Sequence, residues 1–376
     1  MELELRNLYD NFRDASTIKA YAKRINDAAK KLQKPLAIME VCGGHTHTLM
    51  KYAIAQLLPS NIHFIHGPGC PVCIMPKERI DHAYALAMQE DVILVTLGDM
   101  IKVPGSKGSL QDARARGGDV RYVYSPLDTL KIAQENPEKK VIFFAIGFET
   151  TTPMSAALLE SVIAQGIENL FFHINHVTVP EAMELLLEDE ACAIDAFLGP
   201  SHVSVISGSK IYEPLVLKYK KPVVVAGFEP VDVMESLWML LQQVLENRSD
   251  LEVQYKRAVR YEGNQNAQKL IEKYFEKGSN FRFRGLGLIE KSSYRLKDEY
   301  ARYDAEVIYK ELLDLEPVQD HKLCLCPEIL KGKALPLECS LFGTACTPSS
   351  PIGSCMVSSE GACAAYYKYG RNQDAR

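Results

Sequence analysis

Ten cysteines stand in this 376-residue chain, and they are unevenly spread. Cys42, Cys70 and Cys73 lie near the start, Cys192 is alone, and six fall between Cys324 and Cys363. In a reducing compartment, clustered cysteines bind metals or carry redox chemistry more often than they form structural disulfides. Cys70 and Cys73 sit in FIHGPGCPVC (64–73), a spacing at which one thiolate can attack its neighbour with modest strain. Taken alone, that pair is equally half of a zinc site. Cys192, in the helix-like context EDEACAID, reads as a small buried apolar side chain.

The tail from Cys324 reads CLCPEILKGKALPLECSLFGTACTPSSPIGSCMVSSEGACAAYY. Such a loop-rich segment lacks the apolar material to hold itself together, and a bound metal centre would supply the constraint. Iron–sulfur clusters usually take four thiolates, and zinc can use the same four. Twelve, six and sixteen residues separate Cys326, Cys339, Cys346 and Cys363, unlike the paired C-x2-C knuckles of zinc ribbons. The spacing favours a cluster over zinc, with a disulfide framework as the third reading.

Composition narrows the class. Hydrophobic content of 47% and charged content of 24% are those of a soluble globular chain, long enough for two or three domains. A net charge of -5 gives no basic footprint, so nucleic acid is not an expected partner. No apolar run approaches the roughly 20 residues that cross a bilayer. The charged start MELELRNLYDNFRDAS is unlike a signal peptide, which points to the cytoplasm.

The elements that must position these thiols follow from hydrophobic rhythm. Residues 5–33 show helical spacing and end before Pro35. Apolar runs follow at Leu36–Val41, Ile62–Ile65, Val92–Leu97, Val120–Tyr124, Val141–Ile146, Leu170–Ile174, Ile194–Leu198 and Val223–Ala226. Continuous Val/Ile/Phe runs alternating with amphipathic helices predict parallel strands covered on both faces, an α/β fold. The runs end in CGGHTH (42–47), HGPGCPVC (66–73), LGDM (97–100), IGFETT (146–151), INH (174–176), LGPSH (198–202) and AGFEP (226–230). Ligands in open parallel sheets sit beyond such strand ends.

FIHGPGCPV resembles AFLGPSHVSV, and IGFETT resembles AGFEPV. These echoes predict two similar α/β domains facing a cleft, over 34–140 and 141–235. A smaller, largely helical and loop-rich domain is expected over 236–376, with the helical segment 1–33 packed on it.

CGGHTH, HGPGCPVC, GFETT, the Cys326–Cys339–Cys346 spacing and SSEGACAAYY (358–367) together resemble the hydrogenase maturation family HypD, over nearly the whole chain. The resemblance implies a cytoplasmic scaffold that builds the Fe(CN)2CO unit of [NiFe]-hydrogenases. It implies HypC as bound partner and HypE, itself served by HypF, as donor of cyanide carried as a thiocyanate. It also implies two α/β domains and a third that holds a [4Fe–4S] cluster.

Carried over by motif, Cys42 is the cysteine that binds the iron under assembly, and Cys70 and Cys73 are the adjacent dithiol. Cys326, Cys339, Cys346 and Cys363 match the cluster ligands, with Cys324 the competitor of Cys326 and Cys355 matching no ligand.

A thiolate suits a soft low-spin iron. His45 and His47 can donate to a cyanide nitrogen or lower a thiol pKa, though either is as readily a histidine bonded to a carbonyl. Cleaving a thiocyanate S–C bond takes two electrons; a cluster passes one at a time, whereas a dithiol stores two. The expected relay runs from cluster to Cys70/Cys73 to the iron at Cys42. Glu360, beside a cluster ligand, is a candidate proton donor. Asp99, Glu149, Glu229, His176 and His202 are strand-tip residues for which turn or capping roles compete. Tyr366 and Tyr367 read as packing residues. The alternative from another class is a zinc-stabilised thiol–disulfide oxidoreductase.

Overall fold

The computed structural model describes residues 10–370 apart from 190, 314, 315 and 317, so the first nine residues of the expected N-terminal helical segment lie outside it. The eight apolar runs are strands: Leu36–Glu40 (β1), Ile62–His66 (β2), Val92–Leu97 (β3), Asp119–Val123 (β4), Lys140–Gly147 (β5), Leu170–His176 (β6), Ala196–Pro200 (β7) and Val223–Ala226 (β8). A short ninth, Leu251–Val253 (β9), joins them. Two parallel sheets result, ordered β2-β1-β7-β8-β9 (sheet A) and β4-β3-β5-β6 (sheet B). Most residues of β3 and β5 are buried, because helices cover both faces and water reaches neither.

The two sheets are not consecutive in the chain, as 34–140 and 141–235 would require. The chain lays down β1 and β2, leaves to build all of sheet B, and returns with β7 to pair beside β1. The expected boundary at 140 falls at the start of β5, which pairs with both β3 and β6. A hydrophobic run tells that a strand is buried but carries no information on its neighbour, so order was not legible. The echo between FIHGPGCPV and AFLGPSHVSV belongs to β2 and β7, the two strands flanking β1 in one sheet. It marks a shared environment within sheet A.

The N-terminal helix Ala15–Ala29 is capped by Asp14, whose carboxylate accepts from the Thr17 amide at 2.7 Å. Its buried stripe, Ala22, Ile25 and Ala29, joins Leu36, Leu237, Leu240 and Leu241 in one core. It therefore packs on sheet A and the helix Pro230–Leu245, which straddles the expected start of the C-terminal domain at 236. Arg24 over the Trp238 ring, 4.4 Å from its centroid, fixes that choice.

Beyond residue 236 lies an antiparallel hairpin, Phe275–Phe283 (β10) and Gly287–Leu296 (β11), where helix and loop were expected. Its turn uses Gly285 and Gly287 at φ 84° and 88°, a region open mainly to glycine. The cysteine tail holds short helices and turns, including Cys326–Leu330 and Ala362–Tyr369. No helix among the described residues is long and apolar enough to cross a membrane.

Candidate functional site

Strand β1 ends at Glu40, and Cys42 caps the helix Gly43–Lys51 with its sulfur accepting from the Gly44 amide at 3.4 Å. The Cys42 amide donates to Glu40 Oε2 at 3.2 Å, which fixes the turn. Glu40 is itself buried and accepts from His66 Nδ1 at 2.6 Å and from the Thr46 hydroxyl. Cys42 Sγ lies 3.8 Å from His202 Nδ1, so the tip of β7 faces the tip of β1. Burial, then Glu360, push the Cys42 thiol well above its usual range. Binding a metal there must expel a proton.

Glu360 reaches this thiol because Gly43 is a glycine: a Cβ there would overlap the Glu360 backbone oxygen and Cβ. Desolvation, then Asp99, raise the Glu360 carboxyl, which suits a proton donor. His45 turns the other way. Its Nε2–H donates to the Gly227 carbonyl at 3.1 Å, its Nδ1 has no partner, and burial lowers it to about 4. Phe228 packs at a tilt against both histidines, 4.7 Å from His45 and 5.2 Å from His202 between ring centroids.

The dithiol loop lies against the same backbone. A Cβ at Gly69 would overlap the Val41 carbonyl and the Cys42 nitrogen, so only glycine lets Cys70 and Cys73 come this close. Both are buried. The neighbouring thiols of Cys355 and Cys70 raise that of Cys73, and the Ser354 hydroxyl donates to the Cys73 carbonyl at 2.5 Å.

Cys355 is the residue that sequence reasoning missed. It is fully buried, and its neighbours Cys326 and then Cys73 lower its thiol. Cys326 in turn raises the thiols of its neighbours Cys324 and Cys363. Cys346 accepts from the Ile352 amide at 3.3 Å, and Cys339 donates to the Leu323 carbonyl at 3.7 Å. A lone cysteine in GSCM carries no spacing signal; only the fold brings it beside Cys73.

The tail thiols fit a polynuclear cluster better than one ion. Zinc thiolates in a tetrahedron stand about 3.8 Å apart, given Zn–S bonds of about 2.3 Å. Among the described residues no three of these sulfurs lie within 4.8 Å of one another. A cradle is also built: a Cβ at Gly353 would overlap Cys326 Sγ and stand 2.8 Å from Cys324 Sγ.

Other strand-tip residues have structural partners. Glu229 holds Arg13, with Nε 2.6 Å from Oε2. His176 Nε2 meets the Ser155 hydroxyl at 2.8 Å, and His47 meets the Tyr369 hydroxyl at 3.5 Å. Glu149 Oε1 accepts from the Val179 amide at 3.2 Å, while its other oxygen is unpartnered and burial raises the carboxyl to about 7. Asp99 is exposed, and Tyr366 bonds His66 Nε2 at 3.1 Å. Cys192 is half-buried, and nearby Asp189 holds the tail lysine Lys333 at 2.6 Å.

The two-sheet α/β fold thus sets Cys42 and the Cys70–Cys73 loop together at one strand-tip crevice. Residues 16–370 match the sequence profile described as "HypD: Hydrogenase formation hypA family". The chain is 48% identical to hydrogenase maturation factor HypD2 of Bradyrhizobium diazoefficiens, over 97% of each chain. It is 47% identical to HypD of Azotobacter vinelandii, again over 97% of each, and 45% identical to HypD of Escherichia coli, over 97% and 98%. The chain belongs to the HypD family of hydrogenase maturation factors.

Proposed function

We propose that this maturation factor is the scaffold on which the Fe(CN)2CO group is assembled, with Cys42 anchoring the substrate iron while HypC is bound and HypE delivers cyanide. The observation that carries the reading is the packing of the Cys70–Cys73 loop against the Val41–Cys42 backbone at Gly69, with the tail residue Ser354 donating to the Cys73 carbonyl.

Cyanide arrives as a thiocyanate, R–S–C≡N. Its S–C bond breaks as two electrons enter, giving R–SH and cyanide on the iron. Cys70 and Cys73 supply both electrons, closing a disulfide and releasing two protons, one of which goes to the leaving sulfur. Glu360, whose raised carboxyl suits a proton donor, relays the first proton to that sulfur, and the second leaves to solvent. His202, neutral because burial lowers it to about 4, can hydrogen-bond a ligand on the iron at Cys42. His45 braces the crevice from behind through Gly227.

Cys326, Cys339, Cys346 and Cys363 would hold a [4Fe–4S] group, which supplies single electrons when bound. Cys355 can exchange with a Cys70–Cys73 disulfide, freeing one thiol and forming a mixed disulfide, whose opening then takes two electrons from an outside reductant and two protons to restore the dithiol.

The test is infrared spectroscopy of the chain with HypC. Cyanide and CO stretches on iron should be present in the wild type and absent in Cys42→Ala, while tail iron is retained. Persistence of those bands in the variant would reject Cys42 as anchor.

A further inference from the structure

A second cluster of ligand atoms lies away from the thiols, where sheet B meets the chain that leads into the cysteine tail. His82 comes from the helix Lys77–Ala87, His173 from β6 and Glu306 from the short helix Ala305–Ile308. One ligand atom of each lies within 4.8 Å of the other two, and no other three such side chains meet so closely among the described residues. His82 Nδ1 and His173 Nε2 face each other at 3.2 Å. Two imidazole nitrogens on one tetrahedral zinc, bonded at about 2.0–2.1 Å, stand about 3.3–3.4 Å apart.

The surrounding contacts resemble a supporting shell. The Leu313 backbone lies beside the His82 ring. Arg79 grips Glu306 with two bonds of 2.6 and 2.7 Å and also donates to the Ile174 carbonyl at 2.6 Å. Metal-ligating carboxylates and histidines are held in this manner.

One contact opposes a bound ion. Asn175 Nδ2 meets His173 Nδ1 at 3.0 Å, which puts the His173 proton on Nε2, between the two rings. Metal binding moves that proton to Nδ1. The Asn175 amide must then turn to accept it and give up its 2.5 Å bond from Arg79 Nε.

We infer that His82, His173 and Glu306 form a site for a divalent transition ion, zinc first, that ties residues 305–313 to sheet B. Two nitrogens and one oxygen suit zinc, with the fourth position left to water.

The test uses the full chain prepared without air, its tail iron in place, with cobalt(II) as probe and zinc as competitor. The expected result is one tetrahedral cobalt spectrum without thiolate charge-transfer absorption, erased by one zinc per chain. His82→Ala and Glu306→Gln should each weaken uptake about a hundredfold, the upper end of what even outer partners contribute. Asn175→Asp should strengthen it about tenfold, because a carboxylate accepts the His173 proton and keeps Arg79. Should His82→Ala fail to fold, the other two variants still decide. No cobalt outside the thiolates, or uptake unchanged in both Glu306→Gln and Asn175→Asp, would leave a plain hydrogen-bonded histidine pair. Iron–cyanide infrared bands are untouched in either case, so failure here is separable from failure of the assembly reading.

Discussion

Cys73 and Cys355, 282 positions apart in the chain, are buried neighbours whose thiols shift one another. Amino-terminal and carboxy-terminal cysteines thus form one buried set, and Ser354 locks it by donating to the Cys73 carbonyl.

Gly43→Ala sets two effects against each other. In an exposed helix the change would stabilise by about 1 kcal/mol. Here the new Cβ overlaps Glu360 backbone, and overpacking costs about 1–3 kcal/mol, so the overlap wins. The expected outcome is a lower thermal midpoint and slower cyanide transfer, read by calorimetry and infrared.

Gly353→Ala tests the cradle. Its Cβ would displace Cys326 and crowd Cys324. Anaerobic analysis of the wild type should give about four iron and four sulfide per chain, the content of a cluster on four thiolates. The variant should lose more than half of both while the parallel sheets keep their circular dichroism.

Cys70→Ser leaves Cys42 and the tail untouched but removes one half of the electron store. Iron should remain bound with HypC, and cyanide transfer from HypE should stall. Full transfer in this variant would remove the dithiol from the reaction.

Glu149 makes stability depend on pH. Burial raises its carboxyl from 4.5 to about 7, so the folded chain keeps a proton that the unfolded chain has lost in that window. The contribution is full below about pH 4.5, fades as pH rises and is gone above about 7, in total about 3 kcal/mol. Glu149→Gln carries no charge to bury. Its thermal midpoint should exceed the wild type's at pH 8 by a few degrees, and the difference should shrink at pH 5.

Much of this was legible beforehand, for identifiable reasons. Eight strands were readable because burial on both faces demands unbroken apolar runs such as VILVTL and VIFFAIG. Cys42, Cys70 and Cys73 were readable because strand tips, glycines and a dithiol spacing coincide there. Strand order was not, since register is set by partners distant in sequence: β7 pairs with β1 across more than 150 residues. The hairpin at Phe275–Leu296 escaped because its alternation is interrupted by register shifts near Ser279. Cys355 and His202 gained their roles only through neighbours, Cys73 and Cys42, that no local pattern links to them.

The most direct measurement starts from protein with Cys70 and Cys73 oxidised to a disulfide and its tail iron intact. Dithionite is added without air, and the free thiols at both positions are counted over time by alkylation and mass spectrometry. The thiol path predicts that the wild type recovers both and that Cys355→Ser, with equal iron, does so about tenfold more slowly or worse. Equal rates in the two proteins would contradict it.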